Sequence, residues 1–359
     1  MTRPDEGDIS VVVQGPVVRS AGRATRTGLT DAALQSVRRQ LPRAELVLST
    51  WSGADVSGLT FDRLVESADP GTARCDSEGP AEYYNVNRQI VSTYEGLRAA
   101  TRTYAVKLRS DMVLTGTGFL DLFTRFPSRS SNWRLFRERV VVPTYYSRNP
   151  HLRFAYPFHP SDWFQFGVRE DLLDLWNIPL APRDMIRWFD THSRPEGDRE
   201  RWASYRFTAE QWVWLSFLRK HGDVTLAHKL DASAGSIALS ETVLANNLVI
   251  ASLDAIGIRF LKYPHSLVHW STLYTHGEWQ RLYQKYCAPD FRPAPDLAAM
   301  LRAAYVGAVR PLHEALLSPR TSRLGRFSER WRSRAPSSFE RAKRLYESAW
   351  MFMGRIARR

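Results

Sequence analysis

Cysteine is almost absent: two in 359 residues, Cys75 and Cys287, neither with a C-x-x-C partner. They cannot build a zinc cage or a disulfide framework, so a reducing compartment is the natural setting. No stretch approaches the roughly 20 consecutive apolar residues that span a bilayer. The opening MTRPDEGDISVVV places acidic residues before its first apolar run and lacks the basic and apolar regions of a signal peptide. A cytoplasmic location is therefore expected. The Gly-x-Gly-x-x-Gly dinucleotide fingerprint and the P-loop are both missing. No internal repeat or low-complexity linker precedes Pro289, and the composition excludes coiled coil and collagen.

What is present is a well-stocked core. Hydrophobic residues make up 43% of the chain and aromatics 12%, with 12 Trp, enough for one large core or two modest ones with ring-lined clefts. The net charge of +13 is unevenly spread: residues 319–359 hold twelve Arg/Lys against three Glu, +9 of the total. The body of the chain is thus not a general polyanion binder. No nucleic-acid motif accompanies the basic tail. Within it, Phe339, Ala342, Leu345, Ala349, Trp350 and Met353 recur at helical spacing, with Arg341, Lys343 and Arg344 mainly outside that stripe. Such a basic amphipathic helix suits an anionic membrane surface.

Along the chain, strand and helix patterns alternate. Ile9–Val13 reads as a buried strand ending at Gln14-Gly15-Pro16. Thr30–Gln40 reads as a helix stopped by Pro42, and Glu45–Thr50 as a second strand. Leu64–Glu66, a third, meets the turn Asp69-Pro70-Gly71. A longer helix is predicted over Ala81–Ala100, and a strand over Tyr104–Leu108 that delivers Arg109-Ser110-Asp111. Alternation of this kind predicts crossover connections and a mainly parallel sheet flanked by helices. Ligands then sit beyond the carboxyl ends of the strands, where Gln14, Thr50, Asp69 and Asp111 fall. Further on, Val140–Tyr145, Asn246–Ala251 and Ile258–Lys262 read as strands, and Thr208–Lys220 as a helix capped by Thr208. Pro-rich Phe291–Pro295 marks the boundary between a catalytic unit, 1–288, and a helical basic region, 289–359.

Several separated motifs have a familiar order: VVVQGPV, SVRRQLP, LVLSTW, SADPG, NVNRQIVSTYEGL, VKLRSDMVL, SDWFQFG, AEQW and NNLVI. From about Ile9 to His269 the chain resembles the WavE family of lipopolysaccharide-synthesis proteins. The resemblance implies a glycosyltransferase of the GT-A type: a Rossmann-like nucleotide-sugar half (about 9–115), an acceptor half (about 116–288) and a growing surface glycan as acceptor.

A nucleotide-sugar transferase must stabilise a departing diphosphate with a divalent cation, fixed cationic side chains, or both. GT-A enzymes usually carry Asp-x-Asp at a mid-sheet strand end; here that place reads Arg109-Ser110-Asp111. Asp111 is thus expected to hold Mg²⁺ or Mn²⁺ together with substrate phosphates, or else Arg109 and Lys107 neutralise the diphosphate; the plain alternative is a surface ion pair between Arg109 and Asp111 at the strand end. His265, and less so His269, is the counterpart of a C-terminal metal histidine. Asn85 and Arg88, three apart on one helix face, are expected to grip base, ribose or phosphate. Gln14, Gly15 and Pro16 form the floor beneath the nucleotide. The acid–base candidates are Glu210, in the first turn of a helix, and Asp162, in the aromatic block FHPSDWFQFG. Of Trp163, Phe164 and Phe166, at least two belong to the core. Gly22 and Gly28, among Arg19, Arg23 and Arg26, keep a sugar nucleotidyltransferase as an alternative, and the missing first Asp keeps a non-catalytic scaffold as another.

Overall fold

The computed structural model describes residues 2–19, 28–76, 83–152, 154–195, 198, 200, 203–261, 272–308 and 325–345. The chain runs β1 (Ile9–Gln14), α1 (Leu29–Gln40), β2 (Glu45–Trp51), β3 (Arg63–Ser67), β4 (Ala73–Arg74), β5 (Tyr83–Tyr84), α2 (Val86–Ala99), β6 (Tyr104–Arg109), β7 (Met112–Leu114) and α3 (Gly118–Arg125). It continues with β8 (Val140–Pro143), β9 (Phe164–Val168), α4 (Arg169–Trp176), α5 (Arg183–Ile186), α6 (Ala209–Leu218), α7 (Ala234–Asn247), β10 (Leu248–Ala251), α8 (Leu253–Ile256), β11 (Ile258–Phe260), α9 (His276–Tyr286) and α10 (Leu297–Ala308).

Seven strands form the central sheet in the order β10-β8-β9-β6-β1-β2-β3. All neighbours are parallel except β9, which runs antiparallel to β6 and β8. This is the mainly parallel, helix-flanked sheet expected of the Rossmann-like class. Val11, Val12 and Val13 are fully buried between layers, which is why the strand reads as a continuous apolar run instead of an alternation. Helix α6 is apolar all round and buried all round, opened by a capping box in which Thr208 and Gln211 satisfy each other's backbone.

Helix α2 lies so close to the sheet that Gly96 has no room for a side chain. A Cβ there would overlap Val12 and come within 2.9 Å of the Ser49 Cβ. Alanine favours a helix over glycine by about 1 kcal/mol, but both neighbours belong to buried strands and cannot step aside. Gly96→Ala is therefore expected to destabilise by about 1–3 kcal/mol, read as a lowered urea midpoint at unchanged slope.

Some expectations are corrected. Helix α2 begins at Val86, because Tyr83–Tyr84 pair with Ala73–Arg74 as a short antiparallel ladder. Asn246 and Asn247 end α7 instead of starting a strand, and their amides tie down the loop at Ser130–Phe136. As expected of at least two of the three rings, Phe164 and Phe166 both face the core, against Phe119. Contacts continue on the far side of the Pro-rich stretch. Phe291 packs edge-on against Phe126 and Tyr283, and buried Arg302 donates to the Leu273 carbonyl at 2.8 Å and to Glu278 at 3.0 Å. His265, His269, Gly22, Arg23, Arg26 and the part of the amphipathic stripe beyond Leu345 lie outside the described residues. Among the described residues, no helix is long and apolar enough to cross a membrane.

Candidate active site

Because β1, β2, β3 and β6 are parallel, their carboxyl ends meet on one edge of the sheet. Gln14 stands opposite Ser49 and Arg109, and Thr50 opposite Glu66. The turn after β1 is drawn against the turn after β6: Ser110 N–H donates to the Gln14 carbonyl (2.9 Å) and its hydroxyl to the Pro16 carbonyl (2.8 Å). Gly15 adopts φ 118°, and a Cβ would sit 3.2 Å from the Ser110 hydroxyl, so this close approach requires glycine. The Gln14 side chain is buried, accepting from Ser92 on α2 at 2.6 Å, so it braces the floor from beneath.

Arg109 and Asp111 form a two-pronged ion pair, Nε to Oδ1 at 3.0 Å and Nη2 to Oδ2 at 2.9 Å. The guanidinium also lies over the Trp163 ring at 4.6 Å and the Phe260 ring at 5.4 Å. Trp163 in turn stacks on Tyr146 with centroids 4.6 Å apart. A planar cation held by a carboxylate and two rings is pre-organised for a phosphate. Both Asp111 oxygens are occupied by Arg109, and no group of three His, Cys, Asp or Glu able to cage an ion occurs among the described residues.

Beneath this pair lies a buried cluster. Lys107 is fully buried and donates to the Asp162 main-chain carbonyl, so it supports the floor and does not reach into the cleft. Burial lowers its pKa to about 8, while Asp162, Asp111 and Glu210 pull the other way. Both carboxylate oxygens of Asp162 are buried and lack a hydrogen-bond partner among the described residues. Glu210 is buried at the start of α6 and meets His159, with Nε2 and Oε2 3.3 Å apart. Burial, and then the nearby Asp162 charge, push the Glu210 pKa up to about 8. Burial and the nearby Arg148 push His159 down to about 3.

The remaining expected residues gather elsewhere on the same edge. Asp69 and Arg88 make a two-pronged ion pair, with Arg88 Nε 2.7 Å from Asp69 Oδ1. Asn85 stands at the N-cap of α2 without a side-chain cap bond. The Thr50 hydroxyl is buried without a partner among the described residues. An open cavity of about 680 Å³ lies beside the start of α2, lined by Arg74, Asn87, Arg183 and Arg187 among others. It shares no residue with the Asp111–Glu210 cluster; chemistry marks the candidate site, not volume. Three site residues were not anticipated. His159 meets Glu210 from an irregular segment with no periodicity; Tyr146, at a left-handed φ of 66°, holds the His159 ring through its main-chain carbonyl, and Arg148 N–H donates to the His159 carbonyl. The one available signal was the position of His159 inside the polar–aromatic block.

The WavE lipopolysaccharide synthesis family matches residues 9–310. The chain belongs to that family. The match runs past the Pro-rich stretch, in line with the packing of Phe291 and Arg302. No curated protein matches the chain. Among solved structures, a mannosyltransferase from Pyrobaculum calidifontis in complex with GDP-Man and Mn²⁺ is similar at 13% identity and TM-score 0.33, covering 96% of this chain and 86% of that one. A 4-diphosphocytidyl-2C-methyl-D-erythritol synthase from Anaerococcus prevotii is similar at 10% identity and TM-score 0.28, covering 61% of this chain and all of that one. A cytidylyltransferase from Leptospira borgpetersenii is similar at 11% identity and TM-score 0.29, covering 62% of this chain and 99% of that one. Likeness at this level does not bear on the chemistry.

Proposed function

We propose that the chain moves a sugar from a nucleotide-sugar donor to a growing cell-surface glycan, with Glu210 as the group that takes the acceptor hydroxyl proton. The observation that supports this most is the juxtaposition of Arg109–Asp111 with a buried Glu210–Asp162 carboxylate pair at the carboxyl edge of a parallel sheet. Arg109, held over Trp163, neutralises the leaving diphosphate. Gln14, Gly15 and Pro16 shape the floor; Thr50, Asp69, Asn85 and Arg88 line the nucleotide end. Asp162, whose oxygens lack donors, accepts from hydroxyls of the donor sugar. Mg²⁺ or Mn²⁺ enters the proposal as an ion carried on the diphosphate, with Asp111 as the carboxylate it meets and His265 as a second ligand.

Binding of nucleoside diphosphates with and without Mn²⁺, followed by a screen of nucleotide sugars for slow donor hydrolysis, tests the reading. Hydrolysis releasing a nucleoside diphosphate is expected. Pyrophosphate release from a nucleoside triphosphate would point to a nucleotidyltransferase, and absence of any nucleotide binding to a scaffold.

The acceptor side of the proposal is a lipid-linked glycan at the cytoplasmic face of the membrane, reached through the basic tail. Within the described part of that tail, Trp331 packs edge-on against buried Phe339, while Leu345 is 74% exposed. Each Lys or Arg near an anionic surface contributes about 1 kcal/mol, and the attraction weakens as salt shortens the Debye length to about 3 Å at 1 M. Removing residues 319–359 is expected to abolish co-sedimentation with anionic liposomes at low salt and to spare hydrolysis of a soluble donor. Equal sedimentation of both forms would refute the anchor.

A further inference from the structure

We infer that His159 is a positioning residue for Glu210: its Nε2 lone pair accepts the Glu210 carboxyl proton, so the resting site holds a neutral acid–imidazole pair. The inference rests on Glu210 being the proton acceptor proposed above and adds the partner that sets its protonation.

The argument starts from the other ring nitrogen. Nδ1 of His159 lies 3.0 Å from the Tyr146 carbonyl oxygen. An oxygen lone pair faces a ring nitrogen at that distance only if the nitrogen carries hydrogen, so Nδ1 is the N–H. The ring is held there: it is buried, lies nearly parallel to Tyr156 (5.6 Å, 19°), and its own carbonyl accepts from Arg148 N–H at 2.9 Å. Tyr146 sits at φ 66°, a backbone state that a bulky residue keeps only when its surroundings impose it.

With hydrogen on Nδ1, a neutral ring presents a lone pair at Nε2, 3.3 Å from Glu210 Oε2. Two arrangements satisfy that contact: a carboxylic acid donating to a neutral ring, or a carboxylate accepting from an imidazolium. The surroundings choose the first. Burial, Asp162 from the segment before β9 and Glu200 disfavour a second negative charge at Glu210 and outweigh the opposing pull of its backbone N–H and of Arg148; Arg148, from the segment after β8, also disfavours a positive charge at His159. Lys107 on β6 already serves the Asp162 main-chain carbonyl, and Tyr84 on β5, raised above all by burial, stays a neutral phenol. Both groups are buried, so the neutral pair also avoids desolvating two ions. Glu210 thus rests protonated and becomes a base when its proton leaves. His159 fixes which carboxyl oxygen holds that proton.

The test is spectroscopic first, on the full-length protein. ¹⁵N NMR of the folded wild type is expected to show His159 as the neutral Nδ1–H tautomer throughout about pH 5–8. In His159→Gln, an amide N–H can instead serve a Glu210 carboxylate. The Glu210 midpoint, read from its ¹³C carboxyl shift, is then expected to fall by about one unit or more. An imidazolium at His159 near neutral pH, or a Glu210 midpoint unmoved in His159→Gln, overturns the inference. Neither readout requires turnover: the expected spectra in a protein that transfers no sugar would uphold the pair and strike down only the functional reading.

Discussion

Asp111→Asn is expected to lower kcat/KM for glycosyl transfer by about 10²–10³, the loss typical of removing one pre-organised electrostatic contact at a site of developing charge. The carboxylate does two things. It fixes both prongs of Arg109, at 3.0 and 2.9 Å, and in the proposed mechanism it is the carboxylate that meets a cation carried on the diphosphate. Asparagine keeps one oxygen acceptor but loses the charge and the symmetric grip, so Arg109 is left to drift on the Trp163 and Phe260 rings. Losing one partner of a buried pair costs about 3–5 kcal/mol. Here the guanidinium is about a quarter exposed and keeps its aromatic contacts, so the fold should survive with a modest loss. The measurement pairs single-turnover kinetics with a thermal melt. Full activity in a folded Asp111→Asn protein would remove Asp111 from the mechanism.

How far the site could be read in advance follows from what kind of interaction builds each part. The edge formed by Gln14, Thr50, Asp69 and Asp111 was legible because strand runs and their polar ends are local signals, and parallel topology then forces those ends together. Thr208 was legible as a cap for the same reason, whereas the reciprocal bond from Gln211 was not anticipated. The Arg109–Asp111 pair is two residues apart and could be suspected, but its alternative, a metal carboxylate, has the same sequence. The two-pronged geometry shows the pair, which the sequence alone does not. His159, Arg148 and Tyr146 were not legible, since His159 meets Glu210 from about 50 residues away and the other two hold His159 from irregular segments. The same holds for the chain beyond Pro289: prolines there suggested a boundary, whereas burial of Arg302 against Leu273 and Glu278 depends on a tertiary surface no local pattern encodes. Lys107 shows the opposite error. Its charge suggested the cleft, but its place on a central strand turned it into the interior.

Glu210→Gln is expected to lower kcat by about 10²–10⁴, the range for loss of a general base, with donor affinity changed only a few-fold. Glutamine preserves the shape at the start of α6 but cannot accept a proton from the acceptor hydroxyl. The wild-type pH profile supplies the second half of the prediction. A base works when ionised, and Glu210 is pushed up to about 8 by burial and by Asp162. The kcat of the wild type should therefore rise with pH and level off above about 8, and Glu210→Gln should lose that limb. Stability must run the other way. The folded protein binds a proton at Glu210 that an unfolded chain, titrating near 4.5, releases earlier. The contribution of this group is thus fully present below about 4.5 and is lost as pH rises through about 8. The melting temperature of the wild type should accordingly fall between about pH 6 and pH 9 by more than that of Glu210→Gln, which has no such proton to lose. A variant with unchanged kcat, collapsed donor affinity and the same pH limb would make Glu210 a sugar contact and pass the base to Asp162.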